Sequence, residues 1–406
     1  MSNPQPSVRR LAYLPDVEPA ARRFPNAIRS GDSVYASSQP IVPIVAPTPP
    51  RIQDQTHKAF ADFVGLLEAV GMRMSDLVKL HTFYVYEGDN SKATEYWERM
   101  TEVRLQYFAS PGPSGTALRV KGAPTSQRLI AIDGIARADP SRQRIMPAHA
   151  WDWSVPTPLS QGWRVGDVVY CGGQISADRR GRAVAADDLT QQVVNTMEFL
   201  RHVLVDGGAT FDDIVSLKIG YQDRGDPVAA HAVLAEILRV VRPLLKPGQC
   251  TLNCLGVDLL YEGLQLEIDA MAMVGAASRR VITGVGGPGV VTQGFATASR
   301  VDGLIHIGGL AATEDATNLE GQLRGSLRRL QTTLDDIGAG VDDLVKLNVL
   351  FGSDDSGAAA DYATIHRVLA ASLPTPGPVV TIVRVAGLPG AGQRVQLDGV
   401  ALCDSP

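Results

Sequence analysis

The sequence is poor in the residues that mark several large classes of protein. Its 406 residues contain only four cysteines, none in a Cys-x-x-Cys spacing, which excludes a disulfide framework and argues against a zinc site of that type. No uninterrupted apolar run approaches ~18 residues, so we expect no transmembrane helix. The amino-terminal residues lack the apolar segment of a secretory signal. These features predict a cytoplasmic protein without a membrane partner.

Basic and aromatic residues are also scarce. Lysine and arginine number 38 against 43 aspartate and glutamate residues, for a net charge of −5, and aromatic residues make up 6%. Nucleic-acid binding usually needs a basic surplus to neutralise phosphates and aromatic side chains to stack bases, so we expect no nucleic-acid partner. The hydrophobic fraction of 45% is ample for folded cores. At ~100–200 residues per domain, the length suggests two to four domains.

An internal repeat organises the chain. Three segments begin with a glutamine, place a glycine 16 residues later and an aspartate five residues after that glycine. Between the glutamine and the glycine, apolar residues recur at spacings of three and four, which is typical of one helix face ended by its glycine. An alternating apolar stretch after the aspartate predicts a half-buried strand. The three sets are Gln55, Gly71 and Asp76; Gln192, Gly208 and Asp213; and Gln322, Gly338 and Asp343.

The flanking segments repeat as well. A short strand and a small-residue turn precede each glutamine helix, and a second helix, a proline-led strand and a closing strand follow its central strand. The turns read ASSQ, CGGQ and IGGL, from Ala36, Cys171 and Ile307. Segments 139–158 and 284–291, rich in proline or glycine, are interpreted as linkers. We therefore predict three related domains, at residues 1–140, 150–276 and 281–406.

This ordered set of turn, helix, Gly-x4-Asp and strands resembles the Rid (reactive intermediate deaminase) family, also called YjgF-like or L-PSP endoribonuclease-like. The resemblance covers nearly the whole chain, three times over. It implies an α/β (α+β, chorismate mutase-like) fold in which each domain is a sheet backed by two helices. Family members usually form homotrimers with ligand clefts between subunits. The resemblance therefore implies an intramolecular pseudo-trimer with three clefts, present as a monomer or a small homo-oligomer.

The resemblance also implies a chemistry. Family deaminases hydrolyse imines and enamines of 2-oxo acids, with an arginine on the proline-led strand that grips a carboxylate and a glutamate on the closing strand that handles water. In this chain no repeat keeps the arginine, and only Glu267 keeps the acid. The arginine position falls at Gly115, Gln249 and Val380, and the glutamate position at Ala131, Glu267 and Gln396. Two further family positions fall at Ala117, Thr251 and Ile382, and at Thr101, Ala235 and His366.

Each candidate residue also has a structural interpretation. Strand alternation puts Glu267 and Asp269 on one face, which is either a solvated acidic face or the wall of a cleft. Gln249 is either a ligand contact or a turn residue, and Thr251 shares its strand face. His366 lies on a predicted helix, either as a structural or surface residue or as a cleft wall. These alternatives stay open at the level of the sequence.

Other reactive residues indicate structure rather than chemistry. Cys250 is predicted to be a buried structural thiol. His202 and His231 have no paired ligand at helical spacing, so no metal site is expected. The glycine-rich GVGGPG after Thr283 lacks a following helical pattern, so we expect no dinucleotide cofactor.

The sequence therefore predicts a Rid-like hydrolase or deaminase that acts on an imine, an enamine or a related labile C–N bond of a small metabolite, without cofactor or metal. Glu267 is the expected catalytic residue. The alternative is a non-catalytic module that binds or sequesters a small metabolite, which the missing arginine favours. RNA cleavage, attached to one of the family's names, conflicts with the acidic charge. The expected substrate-binding residues are Gln249, Thr251, His366 and Gln396.

Overall fold

The computed structural model describes residues 9–18, 22–40, 51–108, 110–122, 127–285, 294–312 and 316–403. Within these residues the same order of elements occurs three times: three strands, a helix, a strand, a second helix and two strands. We call the repeats units one, two and three. None of the described helices is both long and apolar enough to cross a membrane.

Unit one comprises β1 (Arg10–Ala12), β2 (Ala27–Ser30), β3 (Ser33–Ser37), α1 (Ile52–Ala69), β4 (Leu77–Tyr84), α2 (Ala93–Arg104), β5 (Ser114–Arg119) and β6 (Ile130–Arg137). Unit two comprises β7 (Gln143–Ile145), β8 (Gly162–Val165), β9 (Val168–Cys171), α3 (Leu189–Asp206), β10 (Ile214–Gln222), α4 (Pro227–Val241), β11 (Thr251–Val257) and β12 (Leu266–Met273). Unit three comprises β13 (Arg280–Val285), β14 (Ala296–Val301), β15 (Leu304–Leu310), α5 (Leu319–Asp336), β16 (Leu344–Gly352), α6 (Ala358–Ser372), β17 (Val379–Val385) and β18 (Val395–Leu402).

The second unit begins earlier than the sequence indicated. Segment 139–158 contains β7, which pairs with β8, and it buries the side chains of Trp151 and Trp153. The interpretation of this segment as a linker was wrong, because its strand and its tryptophans are part of the folded core. Most of the second proposed linker, residues 284–291, lies outside the described residues.

The repeated glutamine ties the first helix of each unit to the loop before the closing strand. In unit one, the Gln55 side chain accepts a hydrogen bond from the backbone nitrogen of Leu129 at 2.8 Å and donates to the Gln127 carbonyl at 2.9 Å. Gln192 and Gln322 make the same paired backbone contacts in units two and three. The glutamine is therefore a two-point connection between helix and strand.

The repeated glycine and aspartate control the turn after this helix. The three glycines adopt positive φ angles of 75°, 74° and 75°, the left-handed region that favours glycine at a helix end. Each aspartate accepts a hydrogen bond from the backbone nitrogen three residues before it, at 2.8–2.9 Å, and so opens a short 3-10 turn that leads into the long central strand. The predicted helix ends are confirmed at Gly71, Gly208 and Gly338, and the capping residues are Asp76, Asp213 and Asp343.

Each unit forms one layer of sheet. Unit one has the strand order β1-β2-β3-β6-β4-β5, in which only β4 and β5 are parallel, and units two and three repeat this order. A parallel pair between Thr251 and Ala296 joins the sheets of units two and three. A parallel bridge between Ser114 and Ser160 joins unit one to unit two at the matching place. The predicted α/β fold is confirmed.

The ring closes between unit three and unit one. The Gln39 side chain accepts from the backbone nitrogen of Ile382 at 2.6 Å and donates to the carbonyl of the same residue at 2.8 Å. The helices cover the outer faces of the sheets, over apolar clusters built mainly on units one, two and three in turn. The first cluster also contains residues of units two and three, such as Trp151 and Val383. A fourth cluster on the inner faces contains Val78, Val215 and Val345, from matching positions in β4, β10 and β16. The chain is thus a pseudo-trimer with helices outside and sheets inside.

Candidate active site

Strand register changes which residues of unit two correspond to the family positions assigned from the sequence. The pairs of parallel strands match Lys79 with Ser114, Ser216 with Thr251, and Lys346 with Val379. Thr251 is therefore the counterpart of Ser114, and the residue that matches Gly115 and Val380 is Leu252 rather than Gln249. By the same register, the residue that matches Ala117 and Ile382 is Cys254 rather than Thr251.

The side chains of Gln249 and Thr251 form hydrogen bonds within their own unit. The Gln249 side chain accepts from the backbone nitrogen of Lys246 at 2.7 Å and donates to the Phe211 carbonyl at 2.6 Å. The Thr251 hydroxyl donates to the Val215 carbonyl at 3.4 Å. These hydrogen bonds fix the start of β11, and they match the turn-residue interpretation of Gln249.

Glu267 lies at the interface of units two and one. Its side chain, on β12, is 4% exposed, and its Oε1 accepts a hydrogen bond from the backbone nitrogen of Ala117 in β5 at 3.4 Å. Its Oε2 is buried and has no hydrogen-bond partner among the described residues. Burial raises the pKa of Glu267 to about 8; the Ala117 hydrogen bond opposes this shift and the Asp269 charge adds to it. A solvated acidic face is excluded, because Glu267 and Asp269 are both buried.

The small-residue turn of unit two makes room for this carboxyl group. A Cβ atom added at Gly173 would lie 1.7 Å from Oε1 of Glu267, so no other residue fits there without moving the acid. The backbone nitrogen of Gly173 also donates to the Gly115 carbonyl of unit one at 2.9 Å. The turn therefore supports Glu267 and joins the two units.

The matching interface between units two and three is filled by amide groups. The Gln396 side chain, in the position of Glu267, donates to the Cys254 carbonyl at 3.1 Å and to the Asn253 side chain. Gly309 lies beneath it, and a Cβ atom there would lie 2.7 Å from the Gln396 Cδ. Gln396 therefore holds two units together and is not brought near Glu267. Cys254 and Cys250 are both free and buried, as predicted for Cys250, and burial raises the pKa of each thiol.

The side-chain amide of Gln39 closes the third interface, between units three and one. At this interface Ala131 occupies the position that Glu267 has in unit two. His366 lies half-buried on α6 in this region. One helical turn before it, the Tyr362 hydroxyl donates to the Pro40 carbonyl of unit one at 3.3 Å. Of the sequence-predicted residues, Glu267, Gln396 and His366 thus fall at or near three different interfaces, whereas the side chains of Gln249 and Thr251 bond within unit two. Glu267 is the acid among them.

A buried arginine on α2 was not among the residues predicted from the sequence. Arg104 ends α2, is 2% exposed, and has no hydrogen-bond partner for Nε or Nη1 among the described residues. Burial lowers its pKa to about 10, with Tyr84 and Tyr261 opposing the shift, so its side chain is charged at neutral pH. The available signal was its position on the apolar face of the helix, four residues after Met100 and seven after Trp97.

A second polar cluster lies on the inner faces of the three sheets. Lys79 Nζ is 2.6 Å from Asp269 Oδ2, and Lys346 Nζ is 3.0 Å from Asp133 Oδ2. His81 bridges the two carboxylates, with Nε2 2.9 Å from Asp269 and Nδ1 2.8 Å from Asp133. Burial alone would raise the pKa of both aspartates, but the lysines and His81 outweigh it and hold both pKa values below the usual range.

The cluster surrounds a cavity of about 70 Å³. Its wall includes Asp398 of unit three, which accepts hydrogen bonds from the Asn348 side chain at 2.8 Å and from the Asn253 side chain. Lys218 also lines it, and Asp398, Asp269 and Asp133 raise the pKa of Lys218 against the effect of burial. Because positive and negative groups pair across unit boundaries, this cluster joins the units. In the described residues, no group of three or more His, Cys, Asp or Glu side chains is placed to hold a metal ion.

A family model described as endoribonuclease L-PSP matches residues 153–274 and 290–403, together more than half of the chain. The chain belongs to this family. The two matched segments fall on units two and three. The L-PSP family is the one that the sequence motifs indicated under its alternative name, Rid.

Individual L-PSP relatives are similar to about one unit. The mitochondrial protein mmf1 of Schizosaccharomyces pombe is 28% identical over 130 residues, which is 31% of this chain and 75% of that protein. A 2-iminobutanoate/2-iminopropanoate deaminase of Dermatophagoides farinae is 26% identical over 126 residues, 30% of this chain and 92% of that protein.

A solved structure of another protein matches this chain over most of the length of both. A chorismatase crystal structure superposes with a TM-score of 0.51 at 14% identity, covering 80% of this chain and 93% of that one. This likeness extends across more than one unit and shows the shared fold.

Proposed function

We propose that this L-PSP family protein is a cofactor-independent hydrolase of an imine, an enamine or a related labile C–N bond, and that it acts at the interface of units one and two. The buried carboxyl group of Glu267, with its unpartnered Oε2, carries the proposal. The deaminase relative, named for 2-iminobutanoate and 2-iminopropanoate, supports the reaction class.

The raised pKa decides the role of the acid. At neutral pH Glu267 is mainly protonated, so it acts first as a general acid and gives its proton to the imine nitrogen or the enamine carbon. Water then adds to the resulting iminium carbon, and the Glu267 carboxylate takes back a proton from that water. Collapse of the addition product breaks the C–N bond. The balance for an imine is one imine plus one water, giving one carbonyl compound and one ammonia.

A second candidate is a module that binds a small metabolite without turnover. Two observations favour it: none of the three parallel edge strands carries an arginine at the expected position, and the other two interfaces are filled by Gln396 and Gln39. The candidates differ in whether Glu267 is required for release of ammonia.

The experiment follows ammonia release from 2-iminobutanoate generated in the assay. We expect Glu267→Gln to lower the rate by about 10²–10⁴-fold, because a general acid is lost while size is kept. The matched control is Gln396→Ala at the corresponding position of the next interface, which should keep most of the rate. If Gln396→Ala abolishes turnover and Glu267→Gln does not, the chemistry lies elsewhere. If the wild-type protein does not accelerate ammonia release, the binding module is favoured.

A further inference from the structure

One end of the ring brings all three units together. Near the ends of β5, β11 and β17, three backbone bridges cross from unit to unit, and they pair Arg119 with Asp258, Gly122 with Arg384, and Gly256 with Gly387. Each unit contributes to two of the three bridges, so this end belongs to the whole ring. Glu267, in contrast, lies at the interface of units one and two.

A pocket of about 320 Å³ lies at this end of the ring. Its wall is built from the segments that follow β4 and β10, from the ends of β5 and β11, and from Ala386 of unit three. The volume suits a small molecule. Glu267 is not part of the wall, whose charged residues are Glu87, Arg119, Lys121, Asp223, Arg224 and Asp258.

The three units do not contribute equally to this end. Strand register places Arg119 of unit one, Gly256 of unit two and Arg384 of unit three at matching positions. Where unit two lacks the arginine, the side chain of Asp223 fills the space. A Cβ atom added at Gly256 or Gly387 would lie 2.7 Å or 2.1 Å from its Oδ2. The two glycines therefore fix the place of this carboxylate.

Asp223 is a buried acid without a cation. It is 7% exposed, its Oδ1 accepts a hydrogen bond from the backbone nitrogen of Gly225 at 2.8 Å, and it forms no ion pair with a described residue. Asp258, in the same wall, pairs with Arg119 at 2.8 Å. Buried carboxylates usually have such a partner, because an isolated charge is costly to bury. Asp223, with the exposed Glu87 nearby in the wall, is thus free to bind a cation.

Positive groups border the same pocket. Lys121 and Arg224 are exposed, and neither side chain forms an ion pair with a described residue. Arg119 and Asp258 neutralise each other. A ligand with a negative charge alone would meet Asp223, and a ligand with a positive charge alone would meet Lys121 and Arg224. A molecule that carries both charges satisfies both sides of the wall.

We propose that this pocket binds a small zwitterion, whose ammonium group bonds to Asp223 and whose carboxylate bonds to Lys121 and Arg224. Asp223 offers a fixed acceptor for the ammonium group, and charge-assisted hydrogen bonds of this kind are the strong ones. The lysine and the arginine have long, flexible side chains that can close on a carboxylate from the solvent side. The inference goes beyond the proposed function and does not rest on it.

The test separates the two charges of the ligand. Calorimetry measures the binding of glycine, 4-aminobutanoate and 6-aminohexanoate, each compared with the carboxylic acid and with the amine of the same length. We expect at least one zwitterion to bind the wild-type chain about 10–100-fold more tightly than either of its singly charged counterparts, because each charged contact adds to the affinity.

Variants assign the two ends. Asp223→Asn should reduce the affinity for that zwitterion to about the affinity for the plain acid. The double change Lys121→Met, Arg224→Met should reduce it to about the affinity for the plain amine, and because both residues are exposed it leaves the fold intact. The control Asp336→Asn, at an exposed aspartate that ends α5, should behave as wild type.

Three results would overturn the inference. The first is that no zwitterion binds the wild-type chain up to ~50 mM. The second is an unchanged preference in the double variant, which decides the question even if Asp223→Asn does not fold. The third is loss of the preference in Glu267→Gln, which would place the bound zwitterion at the interface of units one and two instead. Failure of imine turnover with a retained preference contradicts the hydrolase and supports the zwitterion site.

Discussion

The ammonium group of Lys79 in unit one lies 2.6 Å from the carboxylate of Asp269 in unit two, and both side chains are buried. Lys346 of unit three makes the equivalent contact with Asp133 of unit one. At the remaining interface Ser216 stands where the lysine would be, and Asn253 of unit two reaches Asp398 of unit three instead. Every aspartate of the set is therefore held by the preceding unit around the ring.

The first prediction concerns this buried ion pair. Lys79→Met leaves Asp269 buried with a lost charge partner, so we expect a loss of about 3–5 kcal/mol in the free energy of unfolding. Urea denaturation measures it. The double change Lys79→Met, Asp269→Asn should recover a large part of the loss, and Lys92→Met, at an exposed lysine, should cost less than about 0.5 kcal/mol. Equal effects of Lys79→Met and Lys92→Met would contradict the role of the pair.

The second prediction concerns the pH dependence of stability. The pKa of Glu267 is about 8 in the folded protein and about 4.3 in an unfolded chain. The folded state therefore holds a proton that the unfolded state has lost between these values. The resulting stabilisation is complete below the unfolded pKa and is lost as the pH rises through about 8. Because the amide introduced by Glu267→Gln cannot ionise, that variant should melt above wild type at about pH 9 and differ less at about pH 5. A difference independent of pH would contradict the raised pKa.

The third prediction concerns the pH dependence of activity. If Glu267 acts as a general acid, the rate of imine hydrolysis falls as the group loses its proton above a pH of about 8. We expect close to a tenfold fall for each further pH unit. Initial rates of ammonia release measure it, with the uncatalysed rate subtracted at each pH. A rate that rises through this range would assign Glu267 the role of a general base.

The fourth prediction compares two glycines at matching positions. Gly173→Ala places a Cβ atom against Glu267, and Gly309→Ala places one against Gln396. Both changes should cost about 1–3 kcal/mol of stability, since each overpacks a filled interface. Only Gly173→Ala should also lower the rate, by about tenfold or more, because it displaces the acid. Thermal denaturation and the ammonia assay measure the two effects, and equal rate losses would show that the interfaces share one function.

The repeated helices and turns could be predicted from the sequence because the residues that fix them make their contacts within one unit. The glutamine, glycine and aspartate markers act within one unit, so their spacing survives in all three copies. The arginine position was misassigned in unit two, where Gln249 follows Pro247 by two residues as Gly115 follows Pro113. In the structure β11 starts after a turn through Gly248, at a positive φ of 73°, and the strand register puts Cys250 in the place of Pro113. Arg104 was not predicted, although its spacing from Trp97 and Met100 matches the buried face of α2. Which groups it meets depends on the packing of the folded chain and not on that spacing.

Because the ring is closed, any of the three units could come first in the chain without a change in their arrangement in space. Arg9 donates to the carbonyls of Asp343 at 3.0 Å and Leu402 at 3.4 Å, so the two ends of the described region lie side by side. A circular permutant opened at the exposed Pro140, with residues 9 and 402 joined by a short linker, would retain all three interfaces. Its units would run two, three, one, and the Glu267 interface would then be formed by the first and last units of the chain rather than by neighbours.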